Sequence, residues 1–115
     1  MKVTQTQYRI FRQEFRLWAE RFGLKSYRIY FRQEAIEGGF ASIEVNEAGK
    51  YAVVCLCREV SDEDAKIFDP ALHALHEAIH LLLHRLFWLG SRRYVGPDDL
   101  YEEWERVVRT LEKLL

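Results

Sequence analysis

The run from Pro70 to Leu89 constrains this chain more than any other stretch, because its start, stop and periodicity all indicate one long helix. Asp69 can cap the first turn, Pro70 suits the first helical position where its missing N–H costs nothing, and Gly90 is a stop signal. At about 100° per residue, Leu72, Leu75, Ile79, Leu82, Leu83 and Leu86 fall on one side, the expected core face. His73, His76, His80 and His84 form a stripe beside it. A mid-helix histidine stripe at the border of the core is sheltered yet reachable.

Within that stripe the sequence reads His76-Glu77-Ala78-Ile79-His80. Two histidines four apart project from the same helix face one turn apart, so their ring nitrogens can grip one divalent cation. Neutral imidazole is a good zinc ligand, and a carboxylate beside a metal-bound water can take its proton. This pattern makes His76 and His80 candidate Zn²⁺ ligands and Glu77 a candidate general base. Because H-E-x-x-H fixes only three residues, the competing reading is a surface-exposed histidine-rich helix.

Catalytic zinc usually has three protein ligands and one open position. The extension that would supply a third histidine needs Gly at 83 and His at 86, and this chain has Leu83 and Leu86. A glutamate from the following helix is the other common solution. The expected last helix opens at Pro97 or Asp98-Asp99 and carries Leu100, Trp104, Val107, Val108, Leu111 and Leu114 on its apolar face. With Trp104, Val107 and Leu111 at the buried centre, Glu103 lies on the flank and is the first choice of ligand; Glu102 is the reserve. Three ligands at i, i+4 and i+8 on one straight helix spread over about 12 Å, too far for one ion. His84 is therefore assigned to substrate or transition-state contacts, with Tyr94 and Tyr101 as further candidates, and His73 to a structural role.

The rest of the chain supplies a small α+β frame. Its 115 residues allow a single domain over 1–115, and a composition of 49% hydrophobic and 30% charged residues is that of a folded protein. Thr6 to Phe22 has a helical stripe of Ile10, Phe11, Phe15, Trp18 and Phe22, and Gly23 suits the left-handed stop. Tyr27–Arg32, Ala41–Asn46 and Tyr51–Cys57 read as strands, the third the most continuously apolar; short loops make an antiparallel meander the simplest arrangement. Ser61 to Phe68 reads as a loop or a single capped turn. Cys55 and Cys57, two apart on a strand, share a face and are poorly placed for a mutual disulfide; they read as apolar fillers in a reducing compartment. A formal net charge of −1 gives no electrostatic case for nucleic acid or an anionic membrane. Without a leader-like or spanning apolar run, the expected location is cytoplasmic.

This order of elements, with H-E-A-I-H-L-L-L-H followed by Y-E-E-W-E-R-V-V, resembles the zincin metallopeptidases. Among them it is similar to the glutamate-ligand group (gluzincins) typified by thermolysin and to compact metallopeptidase-like proteins of bacteria and phages. The resemblance spans most of the chain as an order of elements, but only His76, Glu77 and His80 match residue by residue. It implies peptide-bond hydrolysis by a zinc-activated water, with a peptide or protein substrate lying along an exposed sheet edge. The larger C-terminal subdomain of the family is missing, so its pocket assignments do not carry over. A non-catalytic zinc-binding module and a metal-free interaction protein are the alternatives. An amidase or deaminase would use the same activated water. Oligomeric state is not legible.

Overall fold

A computed structural model describes residues 1–115 as three helices and one three-stranded sheet. Helix α1 (Gln5–Arg21) begins with a reciprocal cap: the Thr4 hydroxyl accepts from the Gln7 backbone N–H while the Gln7 side chain accepts from the Thr4 N–H. Phe11, Phe15 and Ala19 of its apolar stripe are buried, and the helix stops at Gly23, whose φ of 72° is the left-handed geometry that glycine adopts without strain.

The strands are β1 (Arg28–Gln33), β2 (Ala41–Asn46) and β3 (Tyr51–Leu56), close to the expected segments. Their arrangement corrects the expected meander. The order is β1-β3-β2, with β1 parallel and β2 antiparallel to β3. Side-chain burial explains why: Ala52, Val54 and Leu56 of β3 are fully buried, whereas β1 and β2 carry only exposed and half-buried positions. The most apolar strand takes the centre, where ladder bonds and core cover it from both sides. The 34–40 segment need only step across one strand, about 10 Å at normal strand spacing, well within the reach of seven residues at roughly 3.3 Å each. The β2–β3 hairpin is tight: the Gly49 N–H donates to the Asn46 side chain at 2.6 Å, and a Cβ on Gly49 would stand 2.9 Å from the Tyr51 ring.

After a 3-10 turn at Asp64–Lys66, opened by Ser61 accepting from the Asp64 N–H, comes α2 (Pro70–Gly90). Asp69 caps it by accepting from the Leu72 N–H, with Pro70 in the first turn as expected. Helices α1 and α2 pack side by side on the inner face of the sheet. Phe11 and Phe15 meet Phe31 of β1 edge-on at centroid distances of 6.4 and 5.7 Å. Edge-to-face packing adds about 0.5–1.5 kcal/mol per pair beyond burial.

The buried face of α2 differs from the expected one. Ala74, Glu77, Ala78, Leu81 and Leu82 face the core, whereas Leu72, Ile79 and Leu83 are exposed. Two alanines let α1 approach closely, so the helix turns its small side towards its neighbour. Helix α3 (Pro97–Leu114) packs back along α2, burying Glu103 and Val107 and leaving Trp104 56% exposed. This α2–α3 hairpin lengthens the molecule to 48 × 30 × 24 Å, with a radius of gyration of 15.5 Å. A compact chain of this length would have roughly 13 Å.

Candidate functional site

Edge strand β2 and helix α2 enclose an open groove of about 890 Å³. Ala41, Ile43 and Val45 form the strand wall, and His76, Glu77, His80, Leu83, His84 and Phe87 the helix wall. The helix wall repeats every three or four residues, so one stripe of α2 supplies all its titratable groups, and Ser42 adds a hydroxyl from β2.

His76 and His80 are exposed on that stripe and meet edge to face, with Nε2 atoms 3.2 Å apart. Two ligands of a tetrahedral zinc at 2.0–2.1 Å would stand about 3.3 Å apart. The donor pair therefore fits two of the three usual protein positions. Between them Glu77 is only 6% exposed yet lines the groove. Burial pushes its pKa up, and the two histidines oppose that shift only in part.

His84 also lines the groove, and its partner is a residue on which sequence reasoning placed no role. Its Nδ1 lies 3.0 Å from Oε2 of Glu47, at the β2–β3 hairpin. Glu47 is 5% exposed. The Tyr27 hydroxyl donates to its Oε2 and the Lys50 ammonium to its Oε1, each at 2.6 Å. Burial alone would raise the Glu47 pKa, but the hydrogen bonds from Lys50, Tyr27 and His84 outweigh it and hold the carboxyl below the usual range. Conversely, burial and the bond to Glu47 push the Tyr27 phenol well above its ordinary value. Glu47 sits in a stretch legible only as a loop, where an acidic residue is usually solvated. No local signal marks it as buried: Lys50, three residues on, is what a solvated hairpin would also offer, and Tyr27 and His84 are 20 and 37 residues away.

The structure does not bring Glu103 to the histidines. Arg106 holds its Oε1 through a close double contact, and the Arg85 Nε stands 3.4 Å from Oε2. Arg106 also donates to the Leu82 carbonyl at 3.3 Å, pinning α3 to α2. Glu102, Glu103, Arg85, Arg106 and Arg109 line a second groove that shares no residue with the histidine groove. Glu103 stands apart from the histidines because the buried centre of α3 is Glu103 and Val107 rather than Trp104. A carboxylate turned inward there needs cations, and α2 presents Arg85 on that flank. Glu102 is exposed on the same side and offers no substitute.

Tyr94, 89% exposed on the α2–α3 connection, and Tyr101, stacked edge-on with Trp104, lie outside the groove. His73 has the expected structural role: its Nε2 accepts from the Asp69 N–H at 3.2 Å, and its ring stacks on Phe40. Burial lowers its pKa, in keeping with an acceptor nitrogen. Cys55 and Cys57 are free and buried. No helix is long and apolar enough to cross a membrane. No group of three or more His, Cys, Asp and Glu residues is arranged to hold a metal. No protein-family model matches the chain, and neither a curated protein nor a solved structure is detectably similar to it.

Proposed function

We propose that the chain is a zinc-dependent hydrolase acting on peptide bonds in the groove between β2 and α2. The observation that supports this reading is the 3.2 Å separation of the His76 and His80 Nε2 atoms, close to the bite of a tetrahedral cation. His76 and His80 would hold the Zn²⁺, and the other positions would be left to water and substrate. A cation there supplies Lewis acidity and a water acidic enough to lose its proton near neutral pH. Glu77, sheltered beside the histidines, would take the proton of an attacking water and pass it to the leaving nitrogen. The unpaired edge of β2 can align an extended peptide by backbone hydrogen bonds. Held by two imidazoles alone, a cation would be exchangeable and its occupancy would follow free zinc.

The test measures zinc per chain at several free-zinc concentrations, together with hydrolysis of a mixed peptide library. Wild type binds one zinc and cleaves; His76→Ala and His80→Ala lose both; Glu77→Gln keeps zinc but loses at least a hundredfold in rate. Equal rates for wild type and Glu77→Gln would eliminate Glu77 as the base. A second reading is favoured by the exposed apolar residues Leu83 and Phe87 on the helix wall of the groove. In it the groove binds an apolar polypeptide without cleaving it, and the library is retained intact.

A further inference from the structure

Glu47 is a buried, ionised carboxylate that the hydrolytic chemistry above does not use. It accepts from Tyr27 and Lys50, the Arg85 guanidinium stands 3.9 Å from its Oε1, and its contact on the groove side is His84 Nδ1 at 3.0 Å. An ionised carboxylate only accepts hydrogen bonds, so the proton on this contact belongs to His84 Nδ1. A neutral imidazole has one N–H. With that proton on Nδ1, Nε2 at the other edge of the ring carries a bare lone pair. His84 Nε2 has no protein partner and is not sealed from solvent, while the residue lines the groove beside His80.

We propose that His84 is a substrate-binding residue whose Nε2 accepts a hydrogen bond from a peptide N–H in the groove, and that Glu47 is the positioning residue that fixes its tautomer. The claim deepens the peptidase reading and rests on it for the identity of the ligand. An acceptor nitrogen selects a donor: backbone amides flanking the scissile bond are recognised, and an N-methylated amide at the contacted position is not. The apolar wall of Ile43, Val45 and Phe87 offers that N–H little competition from other acceptors. Tyr27 and Lys50 act at one remove: Tyr27 donates to the same Oε2 and Lys50 to Oε1, which leaves Oε2 one lone pair with which to hold the ring.

Two substitutions separate structure from recognition. Asn at 84 keeps a donor near the place of Nδ1 but has no Nε2; Ala at 47 removes the anchor. With a peptide that wild type cleaves and its singly N-methylated variants, His84→Asn should raise KM two- to tenfold, the range of one uncharged hydrogen bond, with kcat nearly unchanged. The wild-type penalty for N-methylation at one flanking position should vanish in His84→Asn. An undiminished penalty, or loss of zinc from His84→Asn, would overturn the assignment, the latter by making His84 a metal ligand.

A zinc-free arm needs no turnover. Imidazole nitrogen NMR well above the ordinary histidine pKa should show His84 as the Nδ1–H tautomer in wild type and as a mixture in Glu47→Ala. N-acetyl-leucyl-phenylalanine amide should shift the Nε2 signal upfield, and its N-methylated form should not. An Nε2–H tautomer in wild type sinks the proposal whatever the protein hydrolyses. The expected tautomer and shift without cleavage would sink the peptidase reading alone.

Discussion

Removing the carboxylate of Glu103 should destabilise the fold and leave zinc binding intact. Its side chain is 7% exposed, and both charge partners lie on the α2–α3 seam: Arg106 one turn along α3 and Arg85 across on α2. Stripping one member from a fully buried pair costs about 3–5 kcal/mol. Here the arginines are 38% and 46% exposed and can turn to water once the carboxylate is gone, so most of the penalty is relieved. What remains is a charge-assisted contact and a small void, about 1–2 kcal/mol for Glu103→Ala. For a domain of this size that is a fall of roughly 4–10 °C in melting temperature. Glu103→Leu should recover part of it, because an apolar side chain beside Val107 needs no cation. The assay pairs thermal unfolding with zinc content under the conditions used for wild type. If Glu103→Ala stays folded but loses its zinc, the arginine pairing is not the working state and the glutamate is a ligand after all.

Phe15→Ala should cost about 3–5 kcal/mol in chemical denaturation, because Phe15 is fully buried against Phe31; a loss below 1 kcal/mol would mean that α1 does not pack there. The folded pKa of Glu47 lies below its unfolded value, so its contribution is present above the ordinary glutamate pKa and fades as pH falls through the folded value. Stability measured from pH 7 down to pH 3 should therefore fall more steeply in wild type than in Glu47→Gln, and parallel curves would refute this. Tyr27→Phe should lose about 1 kcal/mol and remove from the ultraviolet titration a phenol that ionises well above its ordinary value; an unchanged alkaline limb would show that Tyr27 is not the buried donor.

Strong local signals reveal the elements of this fold, and weak non-local ones conceal its arrangement. Asp69-Pro70 opens α2, Gly23 ends α1, and the alternation of Ile29 with Phe31 and of Ile43 with Val45 marks two strands, because each depends on residues within a turn or a strand of one another. Strand order depends instead on which strand can be covered on both sides. Although the uninterrupted run Tyr51-Ala-Val-Val-Cys-Leu56 hints at a central position, short connections argue for neighbours in sequence. Helix phase misled for a related reason. Leucines dominate a hydrophobic projection of α2, yet Ala74 and Ala78 are fully buried on the core face of a helix that packs closely on α1, where small side chains permit close approach.

That phase governs the functional argument as well. With the core on Ala74, Ala78 and Leu81, the opposite-handed shoulder of α2 turns Leu82 and Arg85 towards α3, so any carboxylate on the inner face of α3 is met by a cation before it can reach the histidines. The other shoulder turns His76, Glu77, His80 and His84 towards β2, placing the only chemistry-bearing stripe of the helix against an unpaired strand edge. Rotating α2 by one residue to bury the leucines would exchange these surroundings, exposing Glu77 and withdrawing His84 from Glu47. The same packing choice thus separates Glu103 from the histidines and joins Glu47 to His84. The helix seam serves stability, and the polar chemistry of the groove draws its support from the β2–β3 hairpin instead.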